Sequence, residues 1–130
     1  MSGVTFLGRM RVERINGSGG IWVHALEVLN NQQGCIKYSY FSGVGDRLPQ
    51  QHACVIGTDA PLHFVSERFG EAAYGQLALR SDFRIRERGP NNDAMGAFGF
   101  LLEAHKWRNV QIRYREFMPV GVRPLLIPVT

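Results

Sequence analysis

The sequence predicts an α+β protein with short β-strands in its N-terminal half, packed with about two helices in its C-terminal half. Strand-like alternation recurs at 4–15, 21–29 and 34–41, and polar or glycine-rich corners such as NGSGG at 16–20 separate these segments. Helical periodicity begins only later in the chain. A chain of 130 residues is long enough to bury its own core, so we interpret residues 1–130 as a single domain.

The arrangement of the early strands stays open between two alternatives. Segment 4–15 contains one or two short strands around Gly8, and segment 21–29 is one strand or a pair with both faces apolar, which indicates cover on both sides. Strands joined by polar corners form either a meander or the stacked coils of a β-solenoid. The spacing between the segments is irregular, and therefore the sequence does not choose between the two.

The segment GCIKYSY, at 34–40, is the most distinctive of these strands. Its alternation predicts one strand in which Ile36, Tyr38 and Tyr40 share a face. Aromatic side chains at such positions commonly pair across neighbouring strands. HACVIG, at 52–57, predicts a further short strand.

The second half predicts mixed structure. Alanine-rich 66–79 favours a helix of about two turns, 82–89 alternates as a strand with an exposed basic face, and 94–118 is helical, in one piece or two. Pro119 ends this helix, and an extended apolar tail follows at 122–130. Four large apolar residues fall on one stripe of the long helix: Trp107, Val110, Tyr114 and Phe117.

The net charge of +4 comes with arginines concentrated in the second half. No block of like charges, RNA-recognition signature or zinc-finger spacing accompanies them, so a solvated basic face is favoured over a nucleic-acid surface. Two cysteines do not make a disulfide framework, and no secretory signal or membrane-length apolar segment is present. We therefore expect a cytoplasmic protein with reduced thiols, and neither a membrane nor a nucleic-acid partner.

No spacing of residues defines a metal or catalytic centre. Zinc ligands usually come in close pairs separated by two to five residues, whereas His52 and Cys54 have one residue between them. Cys35 lies among apolar neighbours, where cysteine is most often a small packed hydrophobe. The four histidines show no i, i+4 pairing. We accordingly predict no cofactor, no metal and no catalytic residue.

The loop SGVGDRLPQQ, at 42–51, is the best candidate for a binding rim. It is long and polar-tipped, and loops carried on rigid strands commonly bind ligands. Arg47 within it is suited to a carboxylate or phosphate. A plain connection between strands is the alternative interpretation. The predicted ligand-binding set is Tyr38, Tyr40, Arg47 and His52.

Several segments together resemble a family of uncharacterised bacterial proteins: GCIKYSY, PLHFVSERFGEAAYGQLA at 61–78, AMGAF at 94–98 and the closing helix with its final VT. The resemblance covers nearly the whole chain. It implies a C-terminal module that β-helix-like repeats precede in longer relatives, and it carries no established activity. The chain departs from the family before Met95, where Ala94 replaces an acidic residue.

Three functions remain as hypotheses. We favour a non-enzymatic protein-interaction and assembly module that forms a homo-oligomer, because no chemical constellation is needed for it. An exposed coil edge at the start of the chain is also most simply covered by self-association. The alternative is a module that binds a small anionic or carbohydrate ligand. A hydrolase is the third, and it requires a histidine within reach of a carboxylate or Cys35.

Overall fold

The computed structural model describes residues 1–123 and residue 125, and it confirms the α+β class. Within them, short strands fill the N-terminal half and both α-helices lie in the C-terminal half. The strands are β1 (Thr5–Phe6), β2 (Met10–Val12), β3 (Gly17–Ser18), β4 (Ile21–Trp22), β5 (Leu26–Val28), β6 (Cys35–Lys37), β7 (Tyr40–Phe41), β8 (Gln50–His52) and β9 (Val55–Ile56). The helices are α1 (Phe83–Glu87) and α2 (Glu103–Phe117), with a 3₁₀ turn at Gly99–Leu101.

The strands stack in parallel as the coils of a small solenoid rather than as a meander. One sheet has the order β1-β4-β7-β9, a second has β3-β6-β8, and β2 pairs with β5. Thr5, Ile21, Tyr40 and Val55 are register partners in the first sheet, so successive coils contain 16, 19 and 15 residues. These unequal lengths are the physical source of the irregular spacing in the sequence.

Aromatic rings fill the interior of the solenoid. Phe6, Trp22 and Phe41 occupy equivalent positions in three coils, and their rings stack with centroids 5.7 and 5.2 Å apart. Because side chains alternate along a strand, the residues that precede them point outward. The buried residues of the interior are Ile15, Trp22, Leu26, Val28, Ile36 and Phe41.

The C-terminal half covers the outer face of the sheet that contains β4 and β7. Ile21, Tyr40 and Val55 face outward there and pack with Phe64 and Ile85 in a second buried cluster. Segment 21–29 is accordingly two strands, and β4 is covered on both faces, as its apolar composition predicts.

GCIKYSY is not a single strand. Tyr38 has a left-handed backbone (φ 49°) and turns a corner between β6 and β7, as Gly19 and Ala53 do in neighbouring coils (φ 68° and 52°). The prediction that Ile36, Tyr38 and Tyr40 share a face is therefore wrong. Ile36 belongs to the interior cluster and Tyr40 to the outer one. A corner also divides the strand predicted at 52–57.

The helix predicted at 66–79 is wrong. Gly70 and Gly75 adopt left-handed backbone conformations (φ 93° and 72°) that an α-helix does not accommodate. The segment instead folds back on itself through turns, and Phe64 and Leu77 form an antiparallel bridge. Alanine content therefore did not outweigh two glycines in so short a stretch.

The strand predicted at 82–89 is also wrong, because this segment forms α1. The Asp82 carboxylate caps the helix by accepting a hydrogen bond from the Arg84 backbone N–H at 2.9 Å. Only Ile85 of the helix is buried. A five-residue segment is too short for its sequence to distinguish a period of 2 from a period of 3.6.

The long C-terminal helix is shorter than predicted. Within 94–118, only Glu103–Phe117 is α-helical, since Gly96 is left-handed (φ 89°) and Leu102 is too (φ 55°). The predicted helix end before Pro119 is confirmed. Most of the predicted tail, residues 124 and 126–130, lies outside the described residues.

Candidate functional site

The structure brings together only two of the four predicted ligand-binding residues. The rings of Tyr38 and His52 meet edge to face, with centroids 6.1 Å apart and planes at 83°. Tyr40 is buried beneath the outer layer. Arg47 lies on another side of the solenoid, where its backbone N–H donates to the carbonyl of Leu26 at 2.9 Å.

Tyr40 and the loop that begins at 42 are parts of the scaffold. Burial, and secondarily the nearby charge of Asp46, raise the pKa of the Tyr40 phenol, which keeps it neutral. The Asp46 carboxylate accepts hydrogen bonds from the backbone N–H groups of Gly43 at 2.8 Å and Leu26 at 2.9 Å. The loop predicted as a binding rim is thereby fastened to the neighbouring coil.

Tyr38 instead lines a cleft of about 650 Å³ between the solenoid and α1. One wall is formed by corner residues of two successive coils, and the other by Arg84 of α1 and by the C-cap residue Arg88 with the turn after it. The residues that matter for its chemistry are Tyr38, Ala53, Cys54, Arg84, Arg88 and Asn92.

The two arginines of the cleft have different surroundings. Arg84 is paired with Asp82, with Nε and Oδ1 3.0 Å apart, and its Nη2 donates to the carbonyl of Asp59 at 2.9 Å. The Arg88 guanidinium lies 5.0 Å from the centroid of the Phe83 ring, as in a cation–π contact. It makes no hydrogen bond or ion pair with the part of the chain that the structure describes.

Both cysteines are free, half-buried thiols. Cys54 borders the cleft, and its Sγ lies 3.5 Å from the carbonyl oxygens of Ile36 and His52. Burial raises the pKa of the Cys54 thiol, so it stays protonated at neutral pH. A protonated thiol is a poor nucleophile, and Cys54 is therefore suited to lining the cleft rather than to covalent chemistry.

Arg84 and Arg88 were not in the set predicted from the sequence. An i, i+4 spacing places both on one face of a helix, but the predicted strand placed them among alternating exposed arginines. Asp82 is the sequence signal that could have indicated both arginines. An aspartate is a common N-cap, and a helix that begins after Asp82 would place Arg84 and Arg88 on one face.

A second exposed feature is the stripe on α2, here called the α2 stripe: Trp107, Val110, Tyr114 and Phe117. The first turns of α2 are attached to the body of the protein. Arg108 Nη2 lies 3.3 Å from the Glu87 carboxylate, and His105 Nε2 lies 3.3 Å from the carbonyl of Asn91. Every residue from 108 to 123 is exposed. Val110, Tyr114 and Phe117 have exposed fractions of 41%, 50% and 80%.

The net charge of the chain is concentrated around this helix. Residues 105–130 contain five of the fifteen Lys and Arg residues and one of the eleven Asp and Glu residues. They therefore carry the whole net charge of +4, and residues 1–104, with ten residues of each sign, are neutral. The α2 stripe is thus an apolar surface within the basic part of an otherwise balanced chain.

A buried carboxyl lies near the base of α2. Asp93 is 6% exposed, and its Oδ1 has no hydrogen-bond partner among the described residues. Burial raises the pKa of this carboxyl, while a backbone hydrogen bond from Ala94 and the charge of His105 act in the opposite direction. Asp93 is therefore an unfavourable site for a negative charge in the folded protein.

Comparison with protein-family models, with curated proteins and with solved structures finds no match to this chain.

Neither α-helix in the described residues has both the length and the apolar composition needed to cross a membrane. The same residues contain no group of three or more His, Cys, Asp or Glu side chains placed to hold a metal ion.

Proposed function

We propose that the protein is a non-enzymatic interaction and assembly module that associates with copies of itself through the α2 stripe. The observation that supports this is the exposure of three large apolar residues on one face of a helix that is anchored at its base. A monomer rarely keeps a continuous apolar surface exposed unless it binds something. Because both cysteines are free thiols, we propose the cytoplasm as the setting.

The geometry of the α2 stripe fits a second copy. Trp107 and Phe117 are equally distant from Ile112, and so are Val110 and Tyr114. An antiparallel pair of α2 helices centred on Ile112 therefore sets Trp107 against Phe117 of the other copy, and Val110 against Tyr114. The same surface is then used on both sides, as twofold symmetry requires.

Apolar burial is the driving force of this contact, and charge opposes it. Fully burying one large apolar side chain of the α2 stripe is worth roughly 1.5–3 kcal/mol. The basic segments 105–130 of the two copies, in contrast, repel each other. Salt screens that repulsion, so self-association should tighten as ionic strength rises. Binding of the same helix to an acidic partner should instead weaken as ionic strength rises. Salt dependence therefore distinguishes a second copy of the chain from an acidic partner.

The test is sedimentation equilibrium of the full chain and of two single substitutions that add the same charge. Val110→Glu places a carboxylate in the stripe, whereas Asn109→Glu places one on a neighbouring exposed position about 100° around the helix. We expect Val110→Glu to shift the protein toward monomer and Asn109→Glu to leave self-association intact. Equal effects of the two substitutions, or a monomeric wild type at every concentration, would contradict the proposal.

A further inference from the structure

We infer that the cleft between the solenoid and α1 is a binding site for a small organic anion, whose oxyanion group pairs with Arg88 and whose planar part rests against Tyr38. This inference does not depend on self-association, because the cleft and the α2 stripe are separate surfaces. It keeps Tyr38 from the sequence-based prediction and replaces Arg47 with Arg88, the residue that caps the C-terminus of α1.

The charge of the cleft favours an anion. Asp82 already compensates Arg84, whereas Arg88 has no carboxylate partner among the described residues. Its guanidinium is positioned over the Phe83 ring, which leaves its N–H groups free to donate. A planar guanidinium with free donors matches the geometry of a carboxylate or phosphate group.

The geometry of the solenoid corners explains why an aromatic residue, Tyr38, lies across the cleft from Arg88. The corner between the second and first sheets has a left-handed backbone in each coil, and in two coils glycine occupies it, as Gly3 and Gly19. Tyr38 occupies the equivalent corner although a left-handed conformation is unfavourable for residues with a Cβ. Tyr38 is 36% exposed and borders the cleft, so the corner presents a ring where glycine would suit the backbone better.

The neighbouring residues support binding rather than covalent reaction. Ala53, at the next corner, is small and lines the cleft together with Tyr38. Cys54 remains a thiol and offers polarisable surface. Asn92 supplies a side-chain amide on the opposite side, where it can donate to an oxyanion. These residues suit an aryl carboxylate or an aryl phosphate.

The experiment is titration of the full chain with benzoate, phenyl phosphate, inorganic phosphate and benzylamine, followed by calorimetry and by amide NMR shifts. We expect both aryl anions to bind and the cation benzylamine not to bind. Arg88→Gln should weaken anion binding about tenfold or more, since a hydrogen-bonded charge is lost. Arg115→Gln, an exposed arginine of α2 outside the cleft, is the matched control and should leave binding unchanged.

A second substitution separates the roles of charge and ring. Tyr38→Asn keeps a residue that tolerates the left-handed corner, and it should weaken phenyl phosphate while leaving inorganic phosphate unaffected. The inference would be overturned if neither benzoate nor phenyl phosphate binds the wild-type protein. Equal anion affinity in Arg88→Gln and Arg115→Gln would overturn it as well. Preference for benzoate or for phenyl phosphate then shows whether carboxylates or phosphates are the natural class.

Discussion

The indole of Trp22 stacks on the ring of Phe41, with centroids 5.2 Å apart and planes within 17° of parallel. The two residues are 19 apart in the chain but are register partners in adjacent coils. Phe6 extends the stack on the other side of Trp22. The parallel coils therefore have a continuous aromatic column in their interior, and this column holds the body from which α2 projects.

The aromatic column should dominate the stability of the solenoid. Phe41 is fully buried, and Phe41→Ala leaves a cavity that neighbouring coils cannot fill, so we expect a loss of about 3–5 kcal/mol in the free energy of unfolding. Val44→Ala, at an exposed loop position, is the control and should change it by no more than about 0.5 kcal/mol. Urea denaturation followed by tryptophan fluorescence measures both. Similar losses for the two variants would show that the column is not the principal support.

The contribution of Asp93 to stability should be less favourable at neutral pH than at acid pH. Burial raises the pKa of this carboxyl in the folded state, so its contribution to stability is greatest below the unfolded pKa of about 3.9. That contribution is lost as the pH rises through the folded pKa. Asp93→Asn removes the buried charge and should raise the free energy of unfolding at pH 7 by about 1 kcal/mol, with a smaller gain near pH 4.

A second aspartate provides the opposite control. The Asp46 carboxylate accepts backbone hydrogen bonds from Gly43 and Leu26, so Asp46→Asn should lower the free energy of unfolding at pH 7 by about 1–3 kcal/mol. Denaturation of both variants in urea at pH 7 and pH 4 gives the comparison. If Asp93→Asn destabilises the protein as much as Asp46→Asn does, the buried charge of Asp93 does not destabilise the folded protein.

Asp82 should hold both α1 and Arg84 in place. Its carboxylate caps the helix and pairs with Arg84, and the hydrogen bond from Arg84 holds the pKa of Asp82 below its usual range. The folded pKa is therefore the lower one, and the stabilisation is present above the unfolded pKa and lost as the pH falls through the folded pKa. Asp82→Ala should cost about 1 kcal/mol at pH 7.

Asn is also a good N-cap, which allows the two roles of Asp82 to be separated. Asp82→Asn should retain most of the helix stability and release the charge of Arg84 toward the cleft. Urea denaturation measures the first effect, and titration with benzoate measures the second as an increase in affinity. Equal destabilisation by the Ala and Asn variants would mean that the ion pair, rather than the cap, stabilises α1.

The sequence predicted the parts of this fold that depend on local chemistry. The short strands around Gly8, the two-sided apolar character of 21–29 and the stripe from Trp107 to Phe117 all follow from periodicity over several residues. The stacking of the coils did not follow, because register depends on contacts between residues such as Ile21 and Tyr40, whose spacing changes from coil to coil. The resemblance to a bacterial family stays a prediction.

The candidate sites show the same division. Tyr38 and His52 belong to one predicted set and do meet, because Tyr38 directly follows β6, and β6 pairs with β8, which contains His52. Arg84 and Arg88 were missed because five residues do not define a helical period. Their distance along the chain from Tyr38 is bridged only by the packing of α1 on the solenoid, which no local pattern encodes.

The most direct test of the central claim is the molar mass of the wild-type chain, measured by sedimentation equilibrium across protein concentrations at low and high salt. Self-association through the α2 stripe predicts a mass above the 14.6 kDa of the monomer that rises with concentration and rises further with salt. A mass that stays at 14.6 kDa under all of these conditions would contradict the account.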